Sequence, residues 1–189
     1  MATLANSFAQ DGAATAIIVP RNPTLTVSYD ELNAAVSSFQ TALAQIGIGP
    51  EDAVSIVLPN SYEFIVSFLS VTWQRGIAAP LNPAYKQEEF EFYIGDLSSV
   101  LTIVPQGFFD KNGPAVRAAK TYNSAIAECY WDGSKVALDV KELGKLAGKA
   151  DQKIEKAEPD DIALVLHTSG TTGRPKAVRK CLYTSDTCK

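Results

Sequence analysis

Apolar positions recur along this chain at two spacings, and the alternation between them marks out helices and strands. Leu32, Val36, Phe39, Leu43 and Ile46 are separated by steps of four and three, which places them on one face of a helix. The start is marked by Ser28-Tyr29-Asp30-Glu31, a capping box in which the Ser28 hydroxyl accepts from the Glu31 amide while the Glu31 side chain reaches back. Gly47 provides the left-handed cap that ends the helix. After the turn Gly49-Pro50-Glu51-Asp52, the short run from Val54 to Leu58 is rich in β-branched residues, as expected of a strand buried on both faces.

The same unit then repeats. Asn60 with Glu63 reads as a second capping box, Ser61 to Gln74 as a strongly apolar helix carrying Phe64, Phe68 and Val71, and Gly76 as its stop. Ile77 to Pro80 is strand-like, Gln87 to Leu97 is helical with Phe90 and Ile94 on one side, and Val100 to Val104 is again a strand. Further on, Ala115 to Tyr122 reads as a helix, Ala125 to Tyr130 as a strand, and Val140 to Lys149 as a polar helix interrupted by Gly144. Asp151 to Asp161, charged and containing Pro159, reads as a solvated connection before the apolar strand Ile162 to Leu166. Strands alternating with helices of this length predict an α/β fold: a mostly parallel sheet flanked by helices, joined by right-handed crossovers. There is no internal repeat.

Composition narrows the classes. Of the 189 residues, 46% are hydrophobic and 20% charged, which is enough apolar mass for a sizeable core and argues against disorder. The net charge of −4 is spread out and no long basic run is present, so no nucleic-acid partner is expected. Three cysteines, Cys129, Cys181 and Cys188, have neither the count nor the spacing of a secreted disulfide framework, and a reducing compartment with free thiols is the expectation. No apolar stretch is long enough to span a bilayer, and Met1 to Gly12 lacks the pattern of a secretory signal. An intracellular, soluble protein is expected.

The candidate chemistry lies in Thr168-Ser169-Gly170-Thr171-Thr172-Gly173-Arg174-Pro175-Lys176, directly after the last apolar strand. Glycines let backbone N–H groups converge on an oxyanion, hydroxyls add donors, and the Lys176 ammonium adds positive charge. Such a string can cradle a polyphosphate. It is not a Walker loop, because two residues rather than four separate Gly170 and Gly173, and Pro175 precedes the lysine. A Ser/His/Asp hydrolase is disfavoured: His167 is the sole histidine, and Ser169 lacks the Gly-x-Ser-x-Gly elbow. His167 reads as a strand-end residue rather than a base. A zinc site lacks ligands, and Gly47-Ile48-Gly49 follows a helix rather than a strand, unlike a dinucleotide fingerprint. Trp73, Phe64 and Phe68 read as core, and the charges from Lys141 to Lys149 as a solvated face.

The nine-residue string resembles the phosphate-loop signature of the AMP-forming superfamily of acyl-CoA synthetases, luciferases and peptide-synthetase adenylation domains. Ser28 to Leu32, Asp52 to Ser70 and Gly76 to Asp96, with Pro80-Leu81-Asn82-Pro83-Ala84-Tyr85, are similar to its upstream segments, so the resemblance covers roughly residues 20 to 178. The stretch from Val104-Pro105 to Cys129-Tyr130-Trp131 is similar to the branch of oxalate-CoA ligases and peroxisomal coenzyme A synthetases.

The resemblance implies a partial AMP-binding domain over residues 1–178, the incomplete N-terminal portion of the ligase large domain. It implies ATP, Mg2+ and CoA as cofactors and a carboxylic acid as substrate. Thr168, Ser169, Gly170, Thr171, Thr172 and Gly173 would hold the β- and γ-phosphates, Thr168 nearest the magnesium, and Lys176 would meet the phosphate charge. It assigns no catalytic residue here, since the adenine-binding segment, the ribose-binding aspartate and the lysine-bearing C-terminal domain of the family have no match. Residues 179–189 depart from the family pattern as a divergent tail. The expectation is a truncated, catalytically incompetent ligase, cytoplasmic or peroxisomal. The alternative is a non-catalytic module that pairs with a full-length relative through an unpaired apolar edge such as Ile162 to Leu166.

Overall fold

The computed structural model describes residues 11–168 and 176–181. Strands β1 (Thr15–Val19) and β2 (Leu25–Ser28) form a small antiparallel hairpin. Its apolar spacing gives little warning of a strand pair, because one face alone is covered: Ile17, Val19 and Leu25 pack on the core while Ile18 is exposed.

Helix α1 (Tyr29–Gln45) begins at the expected capping box. Ser28 Oγ accepts from the Glu31 amide at 3.2 Å, and the Glu31 carboxylate accepts from the Ser28 amide at 2.7 Å. The helix buries Leu32, Val36, Phe39 and Leu43, and Gly47 ends it at φ +89°. Glycine is required there for space as well, because a Cβ would fall 2.6 Å from Lys149 Cβ.

Strand β3 (Ala53–Ile56) leads to helix α2 (Tyr62–Trp73). The second capping box is corrected here. Ser61, not Asn60, is the N-cap, and its Oγ accepts from the Phe64 amide at 3.3 Å. That shift puts Phe64 at the third helical position, where no carboxylate is available to reciprocate. At the other end Arg75, rather than Gly76, takes the left-handed conformation, at φ +62°. Gly76 follows with its amide on the Val71 carbonyl, in a space where a Cβ would lie 3.2 Å from two carbonyl oxygens.

Next come β4 (Ile77–Pro80), α3 (Gln87–Asp96), β5 (Leu101–Pro105), α5 (Pro114–Thr121) and β6 (Ala125–Trp131), close to the predicted bounds, with a short unpredicted α4 (Phe108–Lys111) before α5. The expected polar helix from Val140 to Lys149 does not form. Its place is taken by strand β7 (Val136–Glu142) and one 3-10 turn, Gly144–Leu146. Val136, Leu138 and Val140 alternate toward the core, a period-two signal, and the preceding turn is built for a hairpin. Asp132 Oδ1 accepts from the Ser134 and Lys135 amides around Gly133 at φ +105°, which turns the chain back antiparallel onto β6.

Strand β8 (Ile162–Thr168) and strand β9 (Lys176–Cys181) complete a seven-stranded sheet in the order β7-β6-β5-β3-β4-β8-β9. The pairs β6/β5, β5/β3, β3/β4 and β4/β8 are parallel, and the two outermost pairs are antiparallel. The apolar run from Ile162 to Leu166 is therefore not an edge, because β9 covers it. Cys181 on β9 is disulfide-bonded rather than a free thiol. Cys129 is free and buried, and burial pushes its thiol pKa up.

Alternate residues of the strands feed two cores, one per face. Ala125, Ala127 and Cys129 of β6 join the core beneath α1 and α2, whereas Ile126 joins the one beneath α3 and α5. That is the signature of a sheet buried on both sides. Among the described residues no helix is long and apolar enough to cross a membrane.

Leu43 is fully buried between helix and sheet, so Leu43→Ala is expected to cost about 2–5 kcal/mol of unfolding free energy in a urea titration. The Ser28 amide, followed by its hydroxyl, holds the Glu31 carboxyl below its ordinary pKa of 4.5. A depressed carboxylate contributes stability above its unfolded pKa and loses it as the pH falls through the folded value. Glu31→Gln should therefore flatten the loss of stability on acidification below 4.5 while leaving the rest of the acid limb in place.

Candidate functional site

The phosphate-loop string begins where β8 ends. The parallel strands run their carboxyl ends to one edge of the sheet, the edge at which open α/β sheets bind ligands. At that edge β8 and β9 pair antiparallel with Thr168 directly opposite Lys176. The structure thus brings together the first and last residues of the predicted cradle. Ser169, Gly170, Thr171, Thr172 and Gly173 lie outside the described residues.

Both ends of β8 are tied to the body of the domain by side chains. At its base, the Arg75 guanidinium makes a bidentate pair with Asp161, Nε to Oδ2 at 2.9 Å and Nη2 to Oδ1 at 3.1 Å. Glu155 and Glu158 add ion pairs at 3.3 and 3.5 Å. The hydrogen bond to Asp161, with the acidic neighbours, raises the guanidinium pKa despite some desolvation. The Asp161 carboxylate also accepts from the Glu158 amide at 2.8 Å, closing the turn around Pro159. The segment from Asp151 to Asp161 is therefore strapped down, not merely solvated. Gln74 Nε2 donates to the Lys153 carbonyl, the Gln152 amide to the Ala44 carbonyl, and Lys149 pairs with Asp52 at 2.9 Å.

At its upper end, one residue before Thr168, His167 Nε2 lies 3.0 Å from Asp96 Oδ2 on α3. The His167 ring is buried against Tyr93, with centroids 4.7 Å apart, and Phe92 flanks it at 6.0 Å. Tyr93 in turn packs on Tyr85 at 5.2 Å, and Tyr85 meets Phe90 edge-on at 5.9 Å. Burial, reinforced by the Tyr85 hydrogen bond, raises the Tyr93 hydroxyl pKa. The loop after β4 and the outer half of α3 thus form an aromatic wall beside the entrance to the phosphate loop.

Among the described residues no group of His, Cys, Asp and Glu could hold a metal ion. Two clefts, of about 320 and 420 Å³, lie beside β1, β2 and the start of α2.

The family model for AMP-binding enzymes matches residues 4–179. The chain belongs to that family. Over 138 residues it is 42% identical to an oxalate–CoA ligase of Arabidopsis thaliana, covering 72% of this chain and 26% of the relative. Over 187 residues it is 33% identical to an oxalate–CoA ligase of Saccharomyces cerevisiae, covering 86% and 34%. The fold is that of apo MatB from Rhodopseudomonas palustris, with a TM-score of 0.71 at 24% identity over 93% of this chain and 33% of that one. It is shared with an O-succinylbenzoate coenzyme A synthetase of Bacillus subtilis in complex with AMP, at a TM-score of 0.60, 23% identity, and coverage of 83% and 36%. This chain spans about a quarter to a third of the length of these relatives.

Sequence reasoning marked the string from Thr168 to Lys176 but not the contacts that hold the strand before it. Asp96 and Tyr93 sit three apart on α3, a spacing that puts them on one helix face, but nothing local says that His167, 71 residues away, closes on them. Arg75 and Asp161 are separated by 86 positions. Arg75→Ala is expected to free the strap, seen as faster limited proteolysis within residues 151–161. Arg75→Lys should restore it only in part, because an ammonium cannot make the two-pronged contact.

Proposed function

We propose that this chain supplies the ATP-polyphosphate loop of a ligase that activates a carboxylate as its acyl-adenylate and passes the acyl group to coenzyme A. One observation carries the reading. The Gly- and Thr-rich string from Thr168 to Lys176 opens from the carboxyl edge of a parallel sheet, with its first and last residues paired across a hairpin. Kinship with coenzyme A ligases supports the carboxylate and thiol chemistry, and an oxalate-like dicarboxylate is the first substrate to try.

Attack of a carboxylate on the α-phosphorus requires that charge building on the departing pyrophosphate be neutralised, and electrostatic stabilisation by prearranged donors meets that need. Thr168, Ser169, Gly170, Thr171, Thr172 and Gly173 would bind the β- and γ-phosphates, and the Lys176 ammonium would offset their charge. Mg2+, held nearest Thr168, would supply further neutralisation when bound. A pairing of Thr168 opposite Lys176 fits a cradle that closes on a polyphosphate from two sides. A cytoplasmic or peroxisomal setting goes with this reading.

These 189 residues alone would bind the polyphosphate without completing the reaction, since they span about a third of the related ligases. Strand β9 occupies the edge beside Ile162 to Leu166, so that run offers no free ladder for pairing with a relative. The chain is expected to show MgATP binding in isothermal titration but no ATP–pyrophosphate exchange with small mono- and dicarboxylates. Lys176→Ala should weaken MgATP binding by about tenfold, the scale of one lost charge-assisted contact. Equal affinity in wild type and variant would sink the cradle reading, and measurable exchange would sink the claim of incompetence.

A further inference from the structure

We propose that Asp96 is a positioning residue for the phosphate loop, holding His167 and with it the strand end from which the loop departs. The inference deepens the polyphosphate reading of the loop and rests on it. Its starting point is how thinly β8 is joined to the parallel sheet. The ladder between β4 and β8 has one register pair, Ala78 with Leu164, near the base of both strands. Carried forward, that register sets Pro80 level with Leu166, and Pro80 has no N–H to donate. From Val165 to Thr168 the partner of β8 is β9, itself at the outer edge of the sheet. The loop therefore springs from a hairpin whose outer half is not laddered to the parallel strands.

His167 supplies the missing tie. Its ring is buried with 4% of the side chain exposed, and it packs on Tyr93 while its Nε2 faces Asp96 Oδ2 at 3.0 Å. Tyr93 is fixed in turn by Tyr85 and by the core beneath α3. Asp96 ends α3 and is 46% exposed, so removing its carboxylate opens no cavity. The contact spans 71 residues and ends on the backbone unit next to Thr168. A side chain in that place fixes the end of β8 and the Thr168–Lys176 pair from which the string departs before any ligand binds. Less ordering is then left to pay for on binding.

The test uses the full 189-residue chain and the variants Asp96→Ala, Asp96→Asn and His167→Ala. Amide hydrogen exchange is followed without ligand over residues 165–176, with β3 and β5 as internal references, and MgATP affinity is measured by isothermal titration. Asp96→Ala is expected to speed exchange over 165–176 and to weaken MgATP binding by about tenfold, with the reference strands unchanged. Asp96→Asn, whose amide oxygen can still accept from Nε2–H, should restore most of both. Adding Asp96→Ala to His167→Ala should cause little further loss. Unchanged exchange over 165–176 in Asp96→Ala overturns the inference. So does an equal rise in the reference strands, which would make Asp96 a general stability residue. If the wild-type chain shows no MgATP affinity, the polyphosphate reading fails by itself, and the exchange measurement still decides whether Asp96 positions the loop.

Discussion

The strand that leads to the proposed phosphate loop is laddered to β9 and β4 and is clamped at both ends by side chains. Strand β8 meets the parallel sheet through one register pair with β4, and β4 ends in a proline that cannot extend the pairing. Arg75 on Asp161 fixes its base, and Asp96 on His167 fixes its tip. Each contact joins a helix terminus to the end of a strand that lies more than 70 residues away in the chain. The placement of Thr168 and Lys176 follows from these two clamps together with the antiparallel partner β9.

Topology explains why the base clamp is needed. The chain leaves β7 at one edge of the sheet and re-enters at β8, with β6, β5, β3 and β4 lying between. A connection of that reach without regular structure must find partners for its backbone. It finds them at the helix ends, where the Gln152 amide donates to the Ala44 carbonyl near the cap of α1 and the Lys153 carbonyl accepts from Gln74 Nε2 at the end of α2, while the Lys149 and Asp161 side chains pair with Asp52 and Arg75. The residues that stop the first two helices also dock the returning strand. Glycine at position 47 serves both roles, taking a positive φ and leaving room for Lys149.

The chain belongs to the AMP-binding family and is similar to oxalate–CoA ligases over about a quarter to a third of their length, and the ligase role of its loop is what we propose from that kinship. Phosphate recognition of this kind is local in sequence and demanding in placement. In the proposed cradle nine consecutive residues would carry the donors, and the precision of such a site would come from the elements that end beside it.

Most of the fold was legible from the chain because parallel strands buried on both faces must be apolar, and amphipathic helices must repeat near 3.6. Ser28, Glu31 and Gly47 announced α1 by local chemistry, and Ile77 to Pro80 became a strand as expected. The string from Thr168 to Lys176 stands out in the sequence because its candidate donors are contiguous. What failed depended on partners. Val140 to Lys149 looked helical by its polar composition, but pairing with β6 made its first residues a strand. Asn60 yielded its cap to Ser61, while the helix stopped before Gly76 as expected with Arg75 taking the left-handed turn. The charged stretch before β8 became a strap, and β8 gained a covering strand, because Arg75, Asp96 and β9 meet them only in three dimensions. Sequence by itself marked the contiguous donors from Thr168 to Lys176 that we propose bind a polyphosphate. The tertiary structure alone decided what holds them, since a contact across 71 or 86 residues leaves no local pattern to read.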